Sequence, residues 1–178
     1  MAQQRKDFPV SASKPSSSLP PDTDPENALI VETTRGNIVV ALRTDVAPAH
    51  AERLKLLARE RFYDDVPFHR VIDGFMAQTG DGQHGNGTGG SKHPNLKAEF
   101  SDVPYKRGTV GMARTSNPHS ANSQFFIMFD EGSFLNGQYT VVGEVVQGMD
   151  VVDKLKRGEP PSDPDRMVRV QVAADAKE

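Results

Sequence analysis

The chain has 178 residues, a net charge of −3 and no cysteine, a length that suits one domain with a single full core and an appended segment. Without cysteine there is no disulfide framework, thiolate nucleophile or thiolate zinc site, as fits a reducing compartment. The small negative charge gives no electrostatic basis for gripping nucleic acid or an anionic membrane, so the expected partner is protein or a small molecule.

Residues 1–26 include Lys14-Pro15-Ser16-Ser17-Ser18-Leu19-Pro20-Pro21 and almost no apolar periodicity. Such a segment buries too little surface to offset its ordering entropy, and it is expected to be a flexible tail ahead of a domain over 27–178. It lacks the apolar stretch of about 7 to 15 residues behind a basic start that marks a signal peptide. No later run approaches the roughly 20 apolar residues that span a bilayer. A soluble, cytoplasmic protein is the expectation.

From Ala28 the pattern is strand-rich. Ala28-Leu29-Ile30-Val31-Glu32-Thr33 and Ile38-Val39-Val40-Ala41-Leu42 flank Thr34-Arg35-Gly36-Asn37, where Gly36 can supply the positive φ of a tight hairpin. Pro48 suits a helix first turn, and Ala51, Leu54, Leu57 and Ala58 recur at helical spacing with Glu52, Arg53, Lys55 and Arg59 expected outside. Further strands are expected over Thr109–Ala113, Gln124–Met128, Val141–Val146 and Met167–Val172, with a short helix over Met149–Lys156. Many short strands between glycine and proline turns, with only two helices, favour a closed barrel or a sandwich over an alternating βα sheet.

The segment Phe68-His69-Arg70-Val71-Ile72-Asp73-Gly74-Phe75-Met76-Ala77-Gln78 sets a permanent cation and an amide among large apolar groups. On an alternating strand Phe68, Arg70 and Ile72 share one face and His69 the other, so His69 is read as structural rather than as a base. Ser123-Gln124-Phe125-Phe126-Ile127-Met128 again joins a glutamine to bulky aromatics, with Gln124 and Phe126 on one face. These compositions suit a pocket that holds something apolar beside something polar.

Other chemistries find no support. Gly80-Asp81-Gly82-Gln83-His84-Gly85 and Gly85-Asn86-Gly87-Thr88-Gly89-Gly90 both satisfy G-x-G-x-x-G, but neither runs into an apolar helix that could hold a pyrophosphate, and a flexible surface loop is expected. The phosphate-loop signature fails at Ser91-Lys92. His50, His69, His84, His93 and His119 show no metal-ligand spacing, so no metal is expected. No nucleophile elbow is present, and no acid sits in an obviously apolar context.

The ordered set Phe68-His69-Arg70-Val71-Ile72, Gly74-Phe75-Met76, Gln78, Gly87-Thr88-Gly89-Gly90, Met112-Ala113 and Ser123-Gln124-Phe125-Phe126 resembles the cyclophilin-type peptidyl-prolyl cis/trans isomerases, particularly compact bacterial forms, from about Ala28 to Val172. The resemblance implies a mainly β fold, an eight-stranded antiparallel closed barrel capped by two α-helices, with the site on the outer barrel wall. It implies a catalytic role for Arg70 and a proline pocket of Phe75, Met76, Phe126 and Leu135. Polar contacts fall on Gln78 and Gln124, and backbone pairing with the residue before the proline falls around Ala113 and Arg114. Tyr139 stands where many members have histidine, and Phe134 where many have tryptophan; cyclosporin binding is accordingly expected to be weak, an indole donor being absent.

Each apolar residue taken alone is more often ordinary core, and Arg70 alone more often a paired surface arginine; the combination favours the pocket. The implied function is acceleration of rotation about X-Pro bonds by a monomer that assists protein folding without cofactor, acting on proline-containing peptides and unfolded or folding proteins. The alternatives are a proline-peptide binding module and a chaperone with little turnover.

Overall fold

In the computed structural model, which describes residues 19–176, the first two β-rich runs form a hairpin, β1 over Ala28–Thr33 and β2 over Gly36–Leu42. Thr33 pairs with Gly36, so only Thr34 and Arg35 make the turn, and Gly36 adopts φ +131°, a region that costs glycine little. Thr33 Oγ1 donates to the Gly36 carbonyl at 2.7 Å and closes the turn.

Helix α1 spans Pro48–Arg59. Ala47 at its N-cap offers no side-chain acceptor, and Glu99 from a distant loop takes that place, accepting from the Ala49 and His50 amides at 3.3 and 3.0 Å. Ala51, Leu54, Leu57 and Ala58 enter the core as their spacing predicts. Arg53 and Lys55, expected outside, are buried instead. Arg53 donates to the carbonyls of Pro94 (2.7 Å) and Asn122 (3.3 Å), because the 93–123 region lies across the helix's polar side. Lys55 Nζ reaches Glu26 at 2.7 Å and Glu52 at 3.3 Å.

The remaining strands are β3 (Val66–Pro67), β4 (Arg70–Ile72), β5 (Met76–Thr79), β6 (Thr109–Met112), β7 (Phe125–Met128), β8 (Val141–Gln147) and β9 (Arg166–Val172). They join in one antiparallel sheet in the order β3-β9-β1-β2-β8-β6-β7-β5-β4. The two edge strands, β3 and β4, are separated in the chain only by Phe68 and His69, so the sheet curls until its edges meet in one segment. The architecture is mainly β with two helices, but with nine strands rather than eight and a seam in place of a continuous ladder. Pro67 has no N–H to extend the pairing; the seam is held by Thr79 Oγ1 donating to the Pro67 carbonyl at 2.9 Å and by the Phe68 amide donating to the Asp165 carbonyl at 2.9 Å.

This break also resets the alternation. Phe68 and Val71 point into the main core while Arg70 faces outward, so Phe68 and Arg70 do not share a face as expected. Helix α2 is a single turn, Met149–Val152, shorter than the expected Met149–Lys156, because the bonds beyond it tighten to i→i−3: Lys154 to Val151 (3.0 Å) and Leu155 to Val152 (3.1 Å). Of the segment expected as a tail, residues 1–18 lie outside the described residues. Within 19–26, Leu19 packs against Ala28, Ile30, Val39 and Ala173, and Glu26 pairs with Lys55 and Arg59.

Candidate active site

The wall formed by β4, β5, β7 and β6 presents aligned rows outward. Arg70 pairs with Gln78, Gln78 with Phe126, and Phe126 with Gly111; the adjacent row runs Ile72, Met76, Met128. Because side chains two residues apart share a face, these rows lie side by side. Gly111 is where the wall must be thin: a Cβ there would lie 2.4 Å from Tyr105 Oη and 2.6 Å from Phe126 Cζ. Its absence lets the Phe126 ring stack on Tyr105 with centroids 5.8 Å apart. Burial pushes the Tyr105 phenol's pKa up, which keeps it a donor to the Tyr139 carbonyl at 2.8 Å.

Above these rows is a cavity of about 150 Å³ lined by Arg70, Phe75, Met76, Gln78, Ala113, Arg114, Phe126, Leu135 and Tyr139. Tyr139 stands edge-on to Phe126 at 5.9 Å. The Arg114 guanidinium lies 4.4 Å over the Tyr139 ring and donates to the Gln138 carbonyl through Nε and Nη2 at 3.0 and 2.7 Å. Two residues expected at the site lie beside this cavity rather than in it. Gln124 lines a neighbouring groove of about 520 Å³ together with Gln78, Ala113 and Arg114. Phe134 sits at the rim, 68% exposed, its ring 5.6 Å from that of Phe75.

The polar side of the site is oriented by the glycine-rich stretch. Asp81 is buried, and its carboxylate accepts from five backbone amides: Gln83 (3.1 Å) and His84 (2.8 Å) on Oδ1, and Asn86 (3.2 Å), Gly87 (2.9 Å) and Gly89 (3.0 Å) on Oδ2. The loop is thus an anion nest filled by its own aspartate, and its amides are committed inward. Burial works to raise the Asp81 pKa, but the amides of His84, Gly89, Asn86 and Gly87 together outweigh it and hold it at about 2.

With the amides turned inward, two carbonyls are left for Gln124. Its Nε2 donates to Gly87 and Gly89, each at 2.9 Å, which fixes the amide so that Oε1 accepts from Gln78 Nε2 at 3.0 Å. Gln78 Oε1 in turn accepts from Arg70 Nη1 at 3.4 Å. Neither glutamine can flip without setting donor against donor. His69 lies beneath Gly87, where a Cβ would come within 3.0 Å of its Nε2. Burial lowers its pKa and Nδ1 has no partner.

Sequence reasoning reached the wall and the glutamines but missed Asp81. The available signal was an aspartate within Gly80-Asp81-Gly82, because a short acid followed by flexible backbone can gather its own amides. Among the described residues no cluster of three or more histidine or carboxylate side chains could hold a metal ion.

The model of the cyclophilin-type peptidyl-prolyl cis-trans isomerase family matches residues 28–172. A probable peptidyl-prolyl cis-trans isomerase of Brucella suis is 54% identical over 169 residues, covering 86% of each chain. Among solved structures, the cyclophilin AquaCyp293 from Hirschia baltica superposes with a TM-score of 0.81 at 30% identity, covering 87% of this chain and 77% of that one. A Cryptosporidium parvum cyclophilin-type isomerase solved in the presence of the dipeptide Ala-Pro gives a TM-score of 0.75 at 24% identity, over 82% of this chain and 98% of that one. The chain belongs to the cyclophilin-type peptidyl-prolyl cis-trans isomerases.

Proposed function

We propose that this chain accelerates rotation about X-Pro peptide bonds by seating the proline ring among Phe75, Met76, Phe126 and Leu135 while Arg70 donates to the prolyl nitrogen. The observation that carries the reading is the cavity of about 150 Å³ with a cation at its mouth, the Arg70 side chain being 44% exposed. Sites for drug-sized ligands run to ~300–1,000 Å³, so this one suits a single residue of a peptide. The Ala113 amide is already donated to the Gln124 carbonyl at 3.0 Å, which leaves the Ala113 carbonyl and the Arg114 N–H to pair with the residue before the proline. The Cryptosporidium protein's dipeptide, Ala-Pro, has the same chemistry.

A planar amide resists rotation by about 18 to 20 kcal/mol because its nitrogen lone pair is delocalised. An apolar cavity disfavours the charge-separated resonance form, and a guanidinium N–H aimed at the nitrogen stabilises the lone pair as it localises during the twist. An acceleration of about 10⁵ needs roughly 7 kcal/mol, within reach of one charge-assisted hydrogen bond together with fixed orientation. No bond breaks and no proton transfers, so the mechanism requires neither a general base nor a cofactor. Substrates are proline-containing peptides and folding chains. NMR exchange measurements on an X-Pro peptide test the proposal: cis and trans signals should coalesce with catalytic amounts of protein, and unchanged exchange with demonstrable peptide binding would make this a binding module.

A further inference from the structure

Arg70 is gripped from two sides. The glutamine relay holds Nη1, while Nε donates to Glu159 Oε1 at 3.3 Å. Glu159 belongs to the strap over 156–165, which follows α2 and runs along the outer edge of β4. The strap is registered on that strand: the Gly158 and Val71 backbones exchange both hydrogen bonds at 2.8 Å each. Arg157 Nε donates to Asp73 Oδ1 at 3.0 Å, and its guanidinium lies 4.2 Å from the Phe129 centroid. The Lys156 amide closes the strap on Asp165 Oδ2 at 2.8 Å. Glu159 is therefore delivered to Arg70 by backbone pairing one residue away.

We propose that Glu159 is a positioning residue for isomerisation, fixing the Arg70 guanidinium before a peptide arrives; this rests on the reading of Arg70 as the donor to the prolyl nitrogen. A guanidinium is a rigid plane on a flexible stem. Acceptors on Nε and on Nη1 fix that plane at two points and leave Nη2 without a protein acceptor among the described residues. A donor set in advance costs less reorganisation in the transition state, which shows in kcat rather than in KM. Both partners are about half exposed, with side-chain exposures of 44% and 57%, so the coupling is that of a screened surface pair and its effect is modest.

The test is steady-state kinetics on an X-Pro peptide with the full chain. Glu159→Ala should lower kcat about three- to fivefold with KM within about twofold, the size expected of an exposed ion pair. Glu159→Gln keeps an acceptor for Nε–H and should retain more than half of kcat. Added salt should slow the wild type and leave Glu159→Ala unmoved. In an Arg70→Lys background, which has no Nε–H to hold, Glu159→Ala should cause no further loss. Asp73→Asn cuts the strap's other ion pair and should leave kcat unchanged. The proposal is overturned if Glu159→Ala keeps the wild-type kcat, if its loss is as large in the Arg70→Lys background, or if Asp73→Asn matches it. Should Glu159→Ala fail to fold, the salt response of Glu159→Gln decides: a slope equal to the wild type's also overturns it. An inactive wild type would refute the isomerase reading itself, whereas an active wild type with an inactive Arg70→Ala and a fully active Glu159→Ala would refute Glu159 alone.

Discussion

Phe125 and Phe126 are neighbours in β7 and both buried, yet they serve two different apolar regions. Phe125 and Ile127 face inward, into a core shared with Leu29, Ile38, Val110 and Met167. Phe126 and Met128 face outward, into a smaller cluster with Met76, Tyr105, Leu135 and Val141. The inner region lies within the curled sheet, with Ala51, Leu54 and Leu57 of α1 and Val151 and Val152 of α2 packed into it. The outer one is covered by Tyr105 and by the helical turn that carries Leu135, and beside them lies the cavity next to Arg70. A strand buried on both faces thus divides its labour: the enclosed face packs the main core, and the incompletely roofed face lines an open cavity.

A matched pair of truncations separates the two regions. Ile127→Ala and Leu135→Ala delete the same number of carbon atoms, but the first leaves a sealed void and the second widens a pocket that water already reaches. Ile127→Ala should cost about 4 kcal/mol and Leu135→Ala about 2 kcal/mol, the difference being the cavity contribution. The kinetic effects should be reversed, with kcat/KM reduced at least about tenfold by Leu135→Ala and within about twofold of wild type for folded Ile127→Ala. Chemical denaturation together with an isomerase assay reads both; equal stability losses with equal rates would erase the distinction between the two regions.

A second test addresses the polar edge of the outer region. Because the folded-state pKa of Asp81 is about 2, below an unfolded carboxylate's value near 4, its stabilisation is present in full above about pH 4 and is lost as pH falls through about 2. The contribution is about 2 kcal/mol. Asp81→Asn should remove it and flatten the acid limb of the stability profile, since an amide cannot accept from all five N–H groups. It should also raise KM, through the loosened carbonyls of Gly87 and Gly89 that hold Gln124. An unaltered acid limb in the variant would show that the nest does not carry this stability.

The smallest effect sharpens the rim. Phe134→Trp adds an indole donor beside Phe75 and should tighten cyclosporin binding by on the order of 1 kcal/mol, several-fold in affinity, with the isomerase rate nearly unchanged. Calorimetry reading the same dissociation constant for both proteins would place the cyclosporin contact elsewhere.

Much of this was legible in the sequence where local pattern and tertiary environment agree. The β1–β2 hairpin, its Gly36, the apolar face of α1 and the strand over Phe125–Met128 follow from periodicity and turn chemistry, whereas the placing of a site on the outer wall around Phe126 came from the resemblance. What was not legible depends on contacts distant in the chain. Arg53 reads as a solvated residue because nothing in its own helix announces that the carbonyls of Pro94 and Asn122 will cover it. The opposed orientations of Phe68 and Arg70 follow from the seam at Pro67, which strict alternation ignores. Glu159 stands 89 residues from Arg70, and only the pairing of Gly158 with Val71 brings it there. The site roles expected of Gln78 and Gln124 came from resemblance, whereas the loop whose carbonyls hold Gln124 reads in sequence as free surface.

Arg70 is proposed to turn the outer cluster into an enzyme. NMR exchange on an X-Pro peptide with wild type and Arg70→Ala, paired with a measurement of peptide binding, tests it most directly. The turnover should fall about 10²-fold or more, as for loss of one transition-state donor. Binding should weaken far less, because Phe75, Met76, Phe126 and Leu135 remain, and thermal stability should stay within about 0.5 kcal/mol, as for a half-exposed surface side chain. A folded Arg70→Ala protein that isomerises the peptide at the wild-type rate would contradict the account.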